Sequence, residues 1–219
     1  MATSQSRFVP SDLQRLYEVH SFRHAAEVLA SGCREEYEEL LDALRGFRIT
    51  TQDILAPGGN ESTIPKQVSA LLRPKGWFET RIKGDLLVTL EVKDESKSKP
   101  VTRTIAKNIA AFLDGHKVDY VKNQVAFDLE WNSKDQTFDR DLYAFRAFHE
   151  CGVISAAVLL TRSESLNAVF KQLQVMPKYG ASTTWMGKLL YRLNANRNGG
   201  CPVLVFGITP ELISDWKPQ

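Results

Sequence analysis

Residues 153–160 read VISAAVLL, a run with one hydroxyl and no alternation of polar and apolar positions. A strand with one wet face alternates, whereas a strand covered on both faces reads as a near-continuous apolar run. Residues 201–208, CPVLVFGI, have the same character. Two segments of helical periodicity, about 164–174 and 183–193, lie between them. A helix is expected over 139–151, with Leu142, Phe145 and Phe148 facing inward and Gly152 just past its end. Strand, helix, strand implies a right-handed crossover, so 125–131 and 153–160 are expected side by side and parallel. The fold class that follows is α/β, a central mixed β-sheet flanked by helices.

The first half is read less directly. Two amphipathic helices are expected in the first 50 residues, the first after Ser11 and the second over Glu35 to Leu44, with a break at Ser31-Gly32. Pro57-Gly58-Gly59-Asn60 is a turn, and Ser62 or Thr63 can cap a helix that Pro74 and Gly76 end. Residues 77–92 read as two strands around Lys83-Gly84-Asp85, 94–100 as a polar loop and 101–113 as a helix. Without a repeat or long linker, residues 1–219 are expected to form a single domain, with a helical part over 1–50 and a core over 55–210.

Composition excludes several classes. No apolar run approaches the roughly 20 residues of a membrane span, and MATSQSRFVPSD at the start lacks the apolar centre of a signal peptide. The three cysteines, Cys33, Cys151 and Cys201, have no metal-like spacing and suit a reducing cytoplasm. Net charge is +2, but residues 1–60 hold six Lys and Arg against nine Asp and Glu, so the surplus of basic residues lies in 61–219. A polyanionic partner for that part is allowed.

The chemistry is concentrated in VDYVKNQVAFDLEWN at 118–132. Side chains alternate along a strand, so Val125, Phe127, Leu129 and Trp131 share one face, and Ala126, Asp128, Glu130 and Asn132 the other. With Lys122-Asn123 as a two-residue turn, Asp119 pairs with Ala126 and lies diagonal to Asp128. Asp128 and Glu130 are about 6.7 Å apart along the strand, and a diagonal neighbour is about 7–8 Å away. Three carboxylates on one face repel one another unless neutralised. A hard cation such as Mg²⁺, which takes oxygen ligands, relieves the repulsion and can polarise a phosphoryl oxygen. The alternative is a hairpin face that is polar because it meets solvent. The apolar strand at 153–160 and the lack of any Lys alternating with the acids argue against it.

An acid at 119, a short gap, then Asp128-Leu129-Glu130 resembles the PD-(D/E)xK nuclease core. The chain is more closely similar to the BglII/BstYI family of type II restriction endonucleases over about residues 55–210. The likeness includes Gly76-Trp77 at a helix end, the hairpin DYVKNQVAFDLEWN, the helix and strand after it, KYGASTT at 178–184 and PVLVFGITP at 202–210. Two departures stand out: Val118, not proline, precedes Asp119, and Glu130 occupies the place of the motif lysine. Family members carry Glu where Asp128 stands and Gln where Glu130 stands.

The resemblance implies a restriction-endonuclease-like fold and Mg²⁺-dependent cleavage of double-stranded DNA at a short palindromic site, possible targets including a GATC-centred hexamer. It implies a homodimer, and a DNA methyltransferase of the same specificity in the same cell. Asp119 and Asp128 would bind Mg²⁺, with the Leu129 carbonyl as a backbone ligand. Glu130 would bind a second metal or orient the attacking water. Asn132, Ser133 and Lys134 would approach DNA, and Glu61 is the candidate for a further catalytic acid from a helix. Glu61 reads equally as a first-turn Glu favoured by the helix dipole.

Lys178, Tyr179, Ser182, Thr183 and Thr184 lie in KYGASTTW, a segment suited to reading base edges and equally to capping the helix after it. Six residues separate Gly180 from Gly187, which rules out a phosphate loop. His20 and His24 are four apart on an expected helix, but no third ligand accompanies them. Two rival readings remain at this point: a repair or junction-cleaving nuclease on the same core, and a non-catalytic DNA-binding module.

Overall fold

The computed structural model describes residues 7–57, 62–94, 96 and 101–217. Its elements are α1 (Ser11–Leu16), β1 (Tyr17–Phe22), α2 (Ala25–Gly32), α3 (Arg34–Gly46), α4 (Thr51–Leu55), α5 (Thr63–Leu72), β2 (Phe78–Asp94), β3 (Val101–Lys122), β4 (Val125–Glu130), α6 (Thr137–Glu150), β5 (Ala156–Arg162), α7 (Leu166–Gln172), α8 (Met186–Asn194) and β6 (Val203–Ile208). The strands form one sheet in the order β1-β6-β5-β4-β3-β2. β4, β5 and β6 run parallel, and β1 and β3 pair antiparallel to β6 and β4. The fold is α/β with a mixed sheet between helices.

Every residue of β4, β5 and β6 is buried, which is why these strands carry apolar residues on both faces. On one face Val125, Phe127, Leu129, Val158 and Leu160 join a core with Leu40 and Leu44 of α3 and Val68 and Leu72 of α5. Ala126, Asp128 and Glu130 alternate to the other face. There α6 packs on β4, with Phe138, Leu142, Phe145 and Phe148 buried, and α8 packs on α6.

The turn differs from the expected one by a single residue. Lys122 pairs with Val125, Val121 with Ala126 and Tyr120 with Phe127, so Asn123-Gln124 is the turn. Asn123 has φ of 47°, a left-handed conformation that Asn tolerates far better than Lys. The Asn123 amide donates to Glu36, and the Lys122 ammonium meets Glu39 at 2.7 Å, fixing the turn on α3. Moving the turn by one residue shifts each cross-strand partner by two. Every side chain therefore keeps its face, but Asp119 comes opposite Asp128 instead of Ala126.

Other local expectations are corrected. Residues 101–113 are strand, not helix. Their apolar residues Ile105, Ile109 and Leu113 have helical spacing, but pairing with β2 prevails over periodicity. Residues 78–94 form one continuous strand rather than two. Among the described residues of the first 50 there are three helices and a strand: YEVHSF alternates well enough to pair with β6. His20 is thus in a strand and His24 in a turn with φ of 58°, so the two do not share a helix face.

Residues 81–117 form a compact unit of their own, and the remainder of the chain forms another. Within 81–117, Arg81 meets Asp114 at 2.9 Å, and the Asp85 carboxylate accepts the backbone N–H of Ala111, a residue with φ of 53°.

Candidate active site

Asp128 and Glu130 are 4% and 6% exposed, whereas Asp119 on β3 is exposed to solvent. The Asp119 backbone N–H donates to Asp128 Oδ1 at 2.7 Å. The Thr137 hydroxyl at the start of α6 donates to Glu130 Oε2 at 3.2 Å, while Thr161 of β5 donates to the Glu130 carbonyl at 2.8 Å. Leu129 between the two acids pairs with Leu160 and sends its side chain to the opposite face.

A fourth acid stands with them. Asp141 of α6 is 2% exposed, and its carboxyl faces that of Glu130. Arg140 donates to Asp141 Oδ1 through Nη2 at 3.1 Å, and the same nitrogen lies 3.7 Å from Glu130 Oε1. The sequence reading missed Asp141. Its signal is a carboxylate in the apolar stripe Phe138, Leu142 and Phe145, where a surface helix places no charge without a partner.

Burial is the first cause of the unusual acid strengths. Burial and the charges of Asp141 and Asp119 hold the Asp128 carboxyl well above the usual carboxylate range. Burial and Glu130 push Asp141 up to about 8, against the opposing pull of Arg140. Burial also raises Glu130, opposed by hydrogen bonds with Ser133, Asp141 and Thr137. Carboxyl groups held together out of water either keep protons or take up a cation.

The arrangement fits a divalent metal. It offers hard oxygen donors, buried carboxyl groups that hold one another above the usual acid strength, and an opening at Asp119. Among the described residues no three His, Cys, Asp or Glu side chains are already disposed to hold one ion. That is compatible with Mg²⁺, which keeps several waters and takes one or two carboxylates plus substrate phosphate.

Beyond β4 the two expected DNA-facing segments come together. Lys134 and Thr183 form an antiparallel bridge, the Thr184 N–H donates to the Ser133 carbonyl, and the Asp135 N–H donates to the Ser182 carbonyl, both at 2.9 Å. Asn132 donates to the Lys178 carbonyl at 3.3 Å. Lys134 and Ser182 are exposed, while Thr184 is fully buried. Lys178 and Tyr179 point inward: both donate to the Ile54 carbonyl at 2.8 Å, and Lys178 also to that of Ala56.

Arg162, 1% exposed at the end of β5, ties this loop to the residues just after β4. Its Nε donates to the Trp131 carbonyl at 2.7 Å and to the Thr184 carbonyl at 2.9 Å, and its Nη2 to the Thr183 hydroxyl at 2.6 Å. The guanidinium lies 5.0 Å from the Tyr179 ring centroid, and burial lowers its pKa to about 10.

A cleft of 190 Å³ opens beside these segments, lined by Asp53, Ser62, Leu129, Trp131, Ser133 and Lys178 among others. It lies on the Leu129 and Trp131 side of β4, away from the carboxylates. Asp128, Glu130 and Asp141 do not line this cleft. Glu61 lies outside the described residues.

A family model described as restriction endonuclease BglII/BglIII matches residues 17–208, which includes all four acids and the loop at 178–184. No curated protein matches the chain.

Proposed function

The chain belongs to the BglII restriction endonuclease family and is a type II site-specific deoxyribonuclease, and on that premise we propose that it cuts double-stranded DNA at a short palindromic site with Mg²⁺. The observation that carries the metal requirement is the buried group of Asp128, Glu130 and Asp141 beside an exposed Asp119. Asp119, Asp128 and the Leu129 carbonyl hold the ion. When bound, it stabilises negative charge on the phosphate under attack. Glu130, its carboxyl raised above the ordinary range by burial, accepts the proton of the attacking water and passes it to solvent.

Lys134 meets the phosphate backbone, and Ser182 presents a donor and acceptor to base edges, with Thr183 fixing the loop beside it. Lys178 and Tyr179 support that loop from within. A palindromic target calls for a homodimer in which each protomer cuts one strand. The enzyme works in the cytoplasm alongside a methyltransferase of the same specificity. Among the described residues no helix is long and apolar enough to cross a membrane.

Plasmid DNA incubated with Mg²⁺ tests the reading. Discrete bands with one end sequence are expected, and sequencing those ends gives the target and cut position. Diffuse degradation instead favours a repair nuclease, and intact DNA a binding module.

A further inference from the structure

We propose that Thr137 is a positioning residue for cleavage: its hydroxyl couples the turn at Lys134, where phosphate is met, to the carboxylate of Glu130. This rests on the reading of Glu130 as the proton acceptor and of Lys134 as a phosphate contact, and extends it to the first residue of α6.

Three observations carry it. Thr137 Oγ1 lies 2.7 Å from the Lys134 carbonyl and 3.2 Å from Glu130 Oε2. A hydroxyl carries one proton, while a carbonyl and an ionised carboxylate only accept. The two oxygens therefore compete for one donor, and the nearer carbonyl takes the larger share. Next, the Lys134 carbonyl moves only with its turn. It also accepts the Thr137 N–H at 2.9 Å, and Lys134 and Asp135 are laddered to Thr183 and Ser182. Finally, the main chain of Glu130 is fixed in the sheet, paired with Thr161, whose hydroxyl donates to its carbonyl at 2.8 Å. What the turn can change is the direction of the carboxyl. Ser133 and Asp141 bond that carboxyl too, so Thr137 adjusts its direction and does not hold it alone.

A threonine at a helix start commonly bonds a carbonyl three residues back. Here the same hydroxyl also reaches the acid seven positions back. When Lys134 engages phosphate, its turn is drawn toward the DNA and the carbonyl loosens its hold on the hydroxyl. Rotation about one side-chain bond then turns the proton to Glu130 Oε2, which steadies the carboxylate for the attacking water. Cutting is thereby tied to a seated phosphate.

Single-turnover cleavage of a cognate duplex at saturating enzyme in Mg²⁺ tests this, with the dissociation constant measured in Ca²⁺ and urea unfolding to compare the folds. Thr137→Val keeps the shape and removes the hydroxyl. It should cut bound DNA about ten-fold more slowly, the order of one hydrogen bond to a charged group, with its dissociation constant unchanged. Thr137→Ser restores the hydroxyl and should cut at close to the wild-type rate. Lys134→Ala should slow the cutting of bound DNA in the wild-type background and add nothing to Thr137→Val, because both act through the same proton. Thr137→Ala, a better helix former than Val, replaces it in every comparison if Thr137→Val unfolds. The proposal is overturned if the variant without the hydroxyl cuts bound DNA at the wild-type rate, if Thr137→Ser is equally slow, or if the Lys134 and Thr137 losses add. Glu130→Gln is a separate check: cutting at the wild-type rate would remove Glu130 as the proton acceptor, whatever the Thr137 variants show.

Discussion

The backbone N–H of Asp119 is bonded to the side chain of Asp128, 2.7 Å across the β3–β4 pair. One carboxylate oxygen of Asp128 is thereby held in place by the strand that carries Asp119, the other acid proposed to hold the metal. The position of the Asp128 carboxylate and the hairpin register depend on each other. A buried N–H left without an acceptor costs about 1–3 kcal/mol.

Substitutions at Asp128 separate those two roles. Asp128→Asn and Asp128→Ala should both lose Mg²⁺-dependent cleavage while keeping specific DNA binding in Ca²⁺. Asn retains an oxygen for the Asp119 N–H, so the Ala variant should be less stable than the Asn variant by about 1–3 kcal/mol in urea unfolding. Residual plasmid cutting by Asp128→Asn would remove Asp128 from the site.

The pH dependence of the metal-free protein has a definite sign. Asp128, Glu130 and Asp141 have folded pKa values above their ordinary ones, Asp141 at about 8. Between the ordinary and the raised values the folded state holds more protons than the unfolded one, so stability falls as pH rises. The slope is about 1.4 kcal/mol per pH unit for each proton of difference. In EDTA, melting temperature should drop between pH 5 and pH 8, and Ca²⁺ should restore more of it at pH 8 than at pH 5. A flat profile in EDTA would count against the raised values.

Loop and strand-end residues should differ in what they recognise. Ser182→Ala is expected to weaken cognate binding roughly ten- to a hundred-fold and leave random DNA almost unaffected. Lys134→Ala should weaken both alike and reduce the salt slope by about one unit. Anisotropy titrations at two salt concentrations distinguish these outcomes. Equal losses with Ser182→Ala would make the loop a phosphate clamp.

Arg162 should resist conservative replacement. Lys cannot serve the Trp131 and Thr184 carbonyls and the Thr183 hydroxyl with one fork. Arg162→Lys and Arg162→Met should both lose about 1–3 kcal/mol of stability. At a temperature where each variant is folded, the ratio of cognate to random cleavage should also fall, because Thr183 and Thr184 are no longer fixed to Trp131. Full discrimination by a folded Arg162→Met would limit Arg162 to stability.

Much of the fold is legible in the sequence because its signal is local. Continuous apolar runs become β5 and β6, the segment between Phe138 and Phe148 becomes α6, and alternation puts Asp128 and Glu130 on one face. Each depends only on how side chains project from a regular backbone. Three features were decided by tertiary structure. Residues 101–113 have helical spacing, yet a neighbouring strand supplied the hydrogen bonds that made them β3. The turn moved to Asn123 because that residue accepts a positive φ and its amide finds Glu36 on α3, 87 positions away. Asp141 enters the site because α6 packs across β4, a contact between segments that no periodicity records. Local pattern sets which face a side chain takes. Which other charges share that face depends on the packing of distant segments, and their Coulomb energy depends on distance and burial that exist only in the folded chain.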